Sequence, residues 1–131
     1  MIDDIAGRKA RYFTITDLKS GFYQLTLDPG SRDLTSFTNP RDGSRWRWNI
    51  CPFGLQASPA ACLTLINQIF SGRLDKLNVA VYVDDILIAS PNFEDHLGNL
   101  DETLCLLREN RLTCNPNKTD IAMPKIDFLL P

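Results

Sequence analysis

The chain has little of what most catalytic or metal-binding sequences carry. Its 131 residues contain a single histidine, His96, and four cysteines, Cys51, Cys62, Cys105 and Cys114. No two cysteines stand in C-x-x-C spacing and there is only one histidine, so a zinc site is not expected. Unpaired cysteine usage fits reduced thiols and an intracellular protein, cytoplasm or nucleus not resolved. No apolar run approaches the roughly 20 residues that span a bilayer, and the opening MIDDIAGRKARY has no apolar signal core, so no membrane partner is expected. A marked excess of charge of one sign is also missing. Fourteen basic and sixteen acidic residues give a net charge of −2, which gives no support for nucleic acid from overall charge alone. There is no repeat, low-complexity tract or linker. The 44% hydrophobic and 23% charged content is that of one ordinary globular domain.

The elements that are present read as α+β. YFTITD, 12–17, alternates and predicts a strand. LTSFTN, 34–39, and RWRWNI, 45–50, predict a strand pair joined through Asp42-Gly43, a favoured hairpin turn. Alternation in that second strand places Trp46 and Trp48 on one face and Arg45 and Arg47 on the other. SPAACLTLINQIFSG, 58–72, predicts a helix with Ser58 as N-cap and Pro59 in the first turn. Cys62, Leu65, Ile66, Ile69 and Phe70 form its buried stripe. A second helix is expected over 93–110, capped by Asn92, with a stripe of Leu97, Leu100, Leu104 and Leu107; His96 is expected on its surface. Short strands are expected near 112–114, 119–123 and 126–129. Together these predict an antiparallel sheet with two main helices packed on one face.

VAVYVDDILIAS, 79–90, sets the functional question. Two five-residue apolar runs flank Asp84 and Asp85, the spacing of a tight hairpin with the two aspartates as its turn. Two carboxylates about 4 Å apart repel by roughly 4 kcal/mol at an effective dielectric of 20. A turn does not need that cost, and a bound cation reverses its sign. Asp17, at the end of the first predicted strand, is either a helix N-cap or a further carboxylate of the same site. A strand-end and a hairpin-tip aspartate suit hard divalent ions such as Mg²⁺, which prefer oxygen ligands.

FTITDLKSGFYQLTLDPGSRDLTSFT, CPFGLQASPAACLTLINQIF, VAVYVDDILIAS, HLGNLDETLCLLRENRLTCNPNKT and IDFLL follow in that order. They resemble consecutive motifs of the reverse transcriptase palm, closest to those of gypsy-type LTR retrotransposons, from about Tyr12 to Leu130. The resemblance implies a polymerase palm-like fold and an RNA-directed DNA polymerase using two Mg²⁺ (or Mn²⁺) ions. It implies that Asp17, Asp84 and Asp85 are the catalytic metal ligands, Asp85 the less critical. It implies that Tyr82 lies against the primer end. Phe22 would screen the sugar 2′-position, Pro52, Phe53 and Gly54 would form the loop under nucleotide and template, and Lys118 would stand near the triphosphate. Phe22 is equally readable as a core aromatic and Lys118 as a solvated lysine. Arg45 and Arg47 would meet template phosphates, or else form the solvated face of a hairpin. The partners implied are an RNA or DNA template with primer and deoxynucleoside triphosphates.

The chain departs from the family pattern in places. GRKAR does not match the basic fingers segment that precedes the first aspartate. The expectation is therefore a single partial domain over 1–131, palm with part of the fingers, with the N-terminal fingers segment, thumb and RNase H absent. Self-association through exposed palm surface is expected in consequence. Ala61, Cys62 and Leu63 stand where Thr-Phe-Gln is common, and Leu130 where a glycine is common. An inactive retroelement remnant that binds nucleic acid or protein is the alternative function.

Overall fold

The computed structural model describes residues 9–125 and, of Phe22, the backbone only. Strand β1, Tyr12–Asp17, is followed by a 3₁₀ turn at Gly21–Gln24 and another at Pro29–Thr35. The short strands β2, Phe37–Thr38, and β3, Arg45–Trp46, pair with each other. Helix α1, Ser58–Ile69, and the single turn α2, Leu74–Leu77, precede β4, Val79–Tyr82, and β5, Asp85–Ser90. Helix α3, Phe93–Glu109, a 3₁₀ turn at Pro116–Lys118, and β6, Asp120–Met123, complete the order. The main sheet is antiparallel in the order β4-β5-β1-β6.

Strand alternation divides the sheet into two faces. Val79, Ile86 and Ile88 turn towards α1 and α3 and enter the main core with Cys62, Ile66, Phe70, Leu100 and Leu107. Ala80, Leu87 and Ala89 lie on the opposite face with Phe13. The α+β architecture with helices on one face is as the sequence implies. Cys62 and Ile66 on α1, and Phe70 at its C-terminal cap, are fully buried, as the spacing requires.

Several expectations are corrected. The hairpin turn is Val83-Asp84, because Tyr82 pairs with Asp85. Asp85 thus opens β5 instead of sharing the turn. Val83 adopts φ +56°, a left-handed conformation that strains a β-branched residue. Ser58 is the first helical residue of α1, not its cap; Ala57 takes the cap position without a side-chain bond. The Ser58 hydroxyl instead lies 2.9 Å from Cys51 Sγ. Asn92 does cap α3, accepting from Asp95 N at 2.8 Å. Leu97 and Leu104 are exposed, and the buried stripe of α3 runs through His96, Leu100, Thr103, Leu106 and Leu107.

His96 is buried, not on the surface. Its Nε2 lies 2.7 Å from Thr14 Oγ1 and its Nδ1 3.1 Å from Ser90 Oγ. These hydroxyls give both ring nitrogens a partner, which is what lets a histidine occupy a core position. Burial lowers its pKa below the ordinary 6.5. The strand pair around Asp42-Gly43 forms but is short, since Pro29 starts a 3₁₀ turn that takes residues up to Thr35. Trp46 and Trp48 do not share a packed face: Trp46 is exposed and donates to Ser44 Oγ at 2.7 Å, whereas Trp48 stacks on Tyr23. The expected strand at 112–114 is reduced to an isolated bridge between Leu18 and Cys114. The expected strand at 126–129 lies outside the described residues. All four cysteines are free thiols. Among the described residues no helix is long and apolar enough to cross a membrane.

Candidate active site

The site forms where β4, β5 and β1 end together. Direct cross-strand partners in an antiparallel sheet point to the same face. Tyr82 opposes Asp85, and Asp85 opposes Asp17. The three side chains therefore form a row across three strands, on the face away from the helices. Asp17 and Asp85 come from positions far apart in sequence, and register alone makes them neighbours.

Asp17 is buried. Its Oδ2 lies 3.4 Å from Lys118 Nζ, and its Oδ1 is buried with no hydrogen-bond partner. It caps no helix, because the next helical turn begins at Gly21. Asp85 carries a raised pKa, caused first by burial, then by the charges of Asp84 and Asp17, with Lys118 acting in the opposite direction. A cleft of about 480 Å³ opens beside them, lined by Ile15, Asp17, Asp85, Lys118, Asp120, Met123 and Lys125.

Asp84 sits at the turn itself, and its carbonyl accepts from Leu18 N at 3.1 Å. Its side chain faces Gly21: a Cβ added at that glycine would lie 3.2 Å from Asp84 Cβ. Gly21 is a residue whose part the sequence reading missed. Only the glycine after LKS signalled it. The carboxyl of Asp84 does not line the cleft shared by Asp17 and Asp85, and no three His, Cys, Asp or Glu side chains form a ready metal cluster among the described residues. The donor set nevertheless fits a divalent cation. Asp17 and Asp85 supply it: an orphaned buried carboxylate oxygen and, across from it, a like-charged neighbour whose ionisation is opposed.

Tyr82 is about half exposed and borders an apolar cavity of about 240 Å³ with Pro59, Ala60 and Leu63. Pro52 is buried, while Phe53 and Gly54 are exposed, Gly54 at φ +86°. Phe53 meets Tyr23 edge to face, centroids 4.6 Å apart, and Tyr23 stacks on Trp48 at 6.0 Å. The loop of Pro52–Gly54 is thereby linked through aromatic contacts to the turn that follows Asp17. The backbone of Phe22 lies in that turn, and its side chain lies outside the described residues. Arg45 and Arg47 line a separate cavity of about 390 Å³ with Trp46, Ser36 and Asp33. Arg47 pairs there with Asp33.

An antiparallel sheet backed by helices on one face, with acidic residues at the end of its central strands on the other, is a polymerase-palm arrangement. Residues 3–129 match the family described as reverse transcriptase (RNA-dependent DNA polymerase), and the chain belongs to it. It is 37% identical over 130 residues to the retrovirus-related Pol polyprotein from transposon 412 of Drosophila melanogaster, covering 98% of this chain and 10% of that protein. It is also 37% identical over 122 residues to the enzymatic polyprotein of cauliflower mosaic virus (strain D/H), covering 93% and 18%. The chain thus spans a small part of the curated relatives it matches. The foamy viral protease-reverse transcriptase in complex with an RNA/DNA hybrid superimposes with a TM-score of 0.81 at 25% identity, over 92% of this chain and 16% of that one. The foamy viral protease-reverse transcriptase dRH in complex with double-stranded DNA gives a TM-score of 0.80 at 25% identity, over 92% and 20%.

Proposed function

We propose that the chain is the palm part of an RNA-directed DNA polymerase and transfers a nucleotide to a primer 3′-hydroxyl at the Asp17–Asp85 end of the sheet. The observation that carries this reading is the buried, unpartnered Oδ1 of Asp17 directly across from Asp85. Two carboxylates in that position repel, and Lys118, which reaches Asp17 Oδ2 only, offsets part of that and leaves Oδ1 for a cation. Asp17, Asp84 and Asp85 would hold the divalent ions, two Mg²⁺ or Mn²⁺. Bound there, such ions would stabilise charge on the attacking and leaving oxygens.

The chain's own residues supply positioning. Lys118 and Lys125 bring positive charge to the cleft beside the acidic pair, where a nucleoside triphosphate needs its phosphates balanced. Tyr82, exposed in the row with Asp85 and Asp17, offers a ring to the primer end. Phe53 and Gly54 offer a floor for nucleotide and template, and Phe22 is assigned to the sugar. Arg45 and Arg47, exposed on the hairpin of β2 and β3, suit template phosphates. No side-chain nucleophile is needed, since such catalysis rests on orientation and charge.

Primer extension on a primed RNA template with deoxynucleoside triphosphates and Mg²⁺ or Mn²⁺ tests the reading. The expected yield from these 131 residues alone is low. It rises when fingers and thumb segments of a relative are fused to the chain, and Asp84→Asn abolishes it. An Asp84→Asn chain that extends primers equally well overturns the assignment.

A further inference from the structure

Gln24 ends the 3₁₀ turn that follows Asp17, and neither the motif spacing nor the acidic site accounts for it. Its side-chain amide meets the backbone of a residue 89 positions later. Nε2 donates to Thr113 O at 2.9 Å, and Oε1 accepts from Thr113 N at 2.6 Å. Nε2 also donates to Lys19 O. A carboxamide can donate and accept side by side, so Gln24 pairs with Thr113 as a strand neighbour would.

The clamp lies within a short ladder that leads to the acidic site. Lys19 N donates to Thr113 O at 2.8 Å, and Asn115 N to Asp17 O at 2.9 Å. Asn115 O in turn accepts from Lys118 N at 3.1 Å and from Thr119 Oγ1 at 2.7 Å. Both joined segments pass through left-handed residues, Ser20 at φ +51° and Arg111 at φ +59°. Non-glycine residues hold such conformations only where surrounding contacts enforce them. The Leu18–Cys114 bridge is isolated, so the ladder has little regular sheet to hold it.

We propose that Gln24 is a positioning residue that fastens the 112–118 connection to the Asp17 turn and thereby sets where Lys118 stands against Asp17. What this means for phosphate binding rests on the polymerase reading. The clamp itself is measurable without primer or nucleotide, so the two fail separately. Gln24→Met keeps the length of the side chain and removes both hydrogen-bonding functions. Gln24→Glu keeps the acceptor and, once ionised, turns an oxygen towards two carbonyls.

The test uses the full chain and amide hydrogen exchange, with the Leu87 amide as a control for the fold. In Gln24→Met, exchange at Thr113 is expected to rise about five- to tenfold while Leu87 is unchanged. Gln24→Glu keeps an acceptor for Thr113 N but turns an oxygen towards the Thr113 and Lys19 carbonyls, so a smaller rise is expected at pH 8, and it shrinks further at about pH 4, below the ordinary glutamate value of about 4.3, where a protonated carboxyl donates again. The second readout is the NMR signal of ¹³C-dimethylated Lys118. Asp17→Asn should move it in the wild-type background, and by less than half as much in Gln24→Met. Wild-type exchange at Thr113 in both variants at pH 8 overturns the proposal. So does an undiminished response of Lys118 to Asp17→Asn in the Gln24→Met background.

Discussion

Replacing Asp85 by Asn should stabilise the cation-free chain. Asp85 opposes Asp17 across β5 and β1, and opposed Cβ atoms in an antiparallel pair are about 5 Å apart. Two carboxylates roughly 6 Å apart, at an effective dielectric of about 40 between bulk water and the interior, repel by about 1.4 kcal/mol. Lys118 offsets part of this, so a net gain of about 1 kcal/mol is expected. Over 131 residues that amounts to about 3–4 °C in Tm. The sign follows from linkage. The folded-state pKa of Asp85 is raised above 3.8, so its ionisation costs stability as pH rises through the folded value. The advantage of Asp85→Asn is therefore full at neutral pH, closes as the pH falls through that raised value, and is gone below 3.8. A divalent cation reverses the order: at a concentration tenfold above Kd it stabilises the native wild type by about 1.4 kcal/mol, or about 5 °C. The assay is thermal unfolding with EDTA and with Mn²⁺. Crossing of the two proteins between these conditions is the expected result. A destabilised variant in EDTA, or an equal gain from Mn²⁺ in both, refutes the reasoning.

Three further outcomes follow from the same packing. The buried His96 has a depressed pKa, so the stability it contributes is present above its unfolded value of about 6.5 and is lost as pH falls through the folded one; Tm measured between pH 8 and 5 should fall more steeply in the wild type than in His96→Gln. A side chain at Gly21 meets Asp84 Cβ at 3.2 Å, so Gly21→Val should cost about 1–3 kcal/mol and blunt the Mn²⁺-dependent rise in Tm; unchanged melting with and without Mn²⁺ counts against the close approach. Leu97 and Leu104 are exposed along α3, and sedimentation velocity should report self-association that Leu97→Glu with Leu104→Glu reduces.

The legible part of the fold was the part written in apolar spacing. The stripe of α1, the cap at Asn92 and the two runs flanking the aspartates each state a local preference that packing then follows. The site was legible only to within one residue. Asp84-Asp85 reads as a turn because polar pairs usually are turns, yet the alternation of DILIAS carries the strand back to Asp85. One step of register decides the face. That step separates two carboxylates side by side at a hairpin tip from one facing Asp17. His96 was misplaced because hydrophobic periodicity does not detect a polar core residue, whose burial depends on Thr14 and Ser90 from two other strands. Leu97 and Leu104 satisfied the same periodicity while lying on the flank of α3 outside the covered stripe. The hairpin at 34–50 shortened because Pro29 and the Asp28 side chain, which accepts from Gly30 N at 3.0 Å, favour a 3₁₀ turn over an extended chain. Gln24 and Gly21 acquire their parts only through contacts with Thr113 and Asp84, which no local pattern contains.

The proposed activity requires the end of the central strands to seat divalent cations. Mn²⁺ titration followed by paramagnetic broadening of backbone amide signals measures this directly. Broadening should be strongest at Asp17, Leu18, Asp84 and Asp85, and Asp17→Asn should remove most of it while the rest of the spectrum stays folded. Broadening centred elsewhere on the chain, or undiminished by Asp17→Asn, would contradict the account.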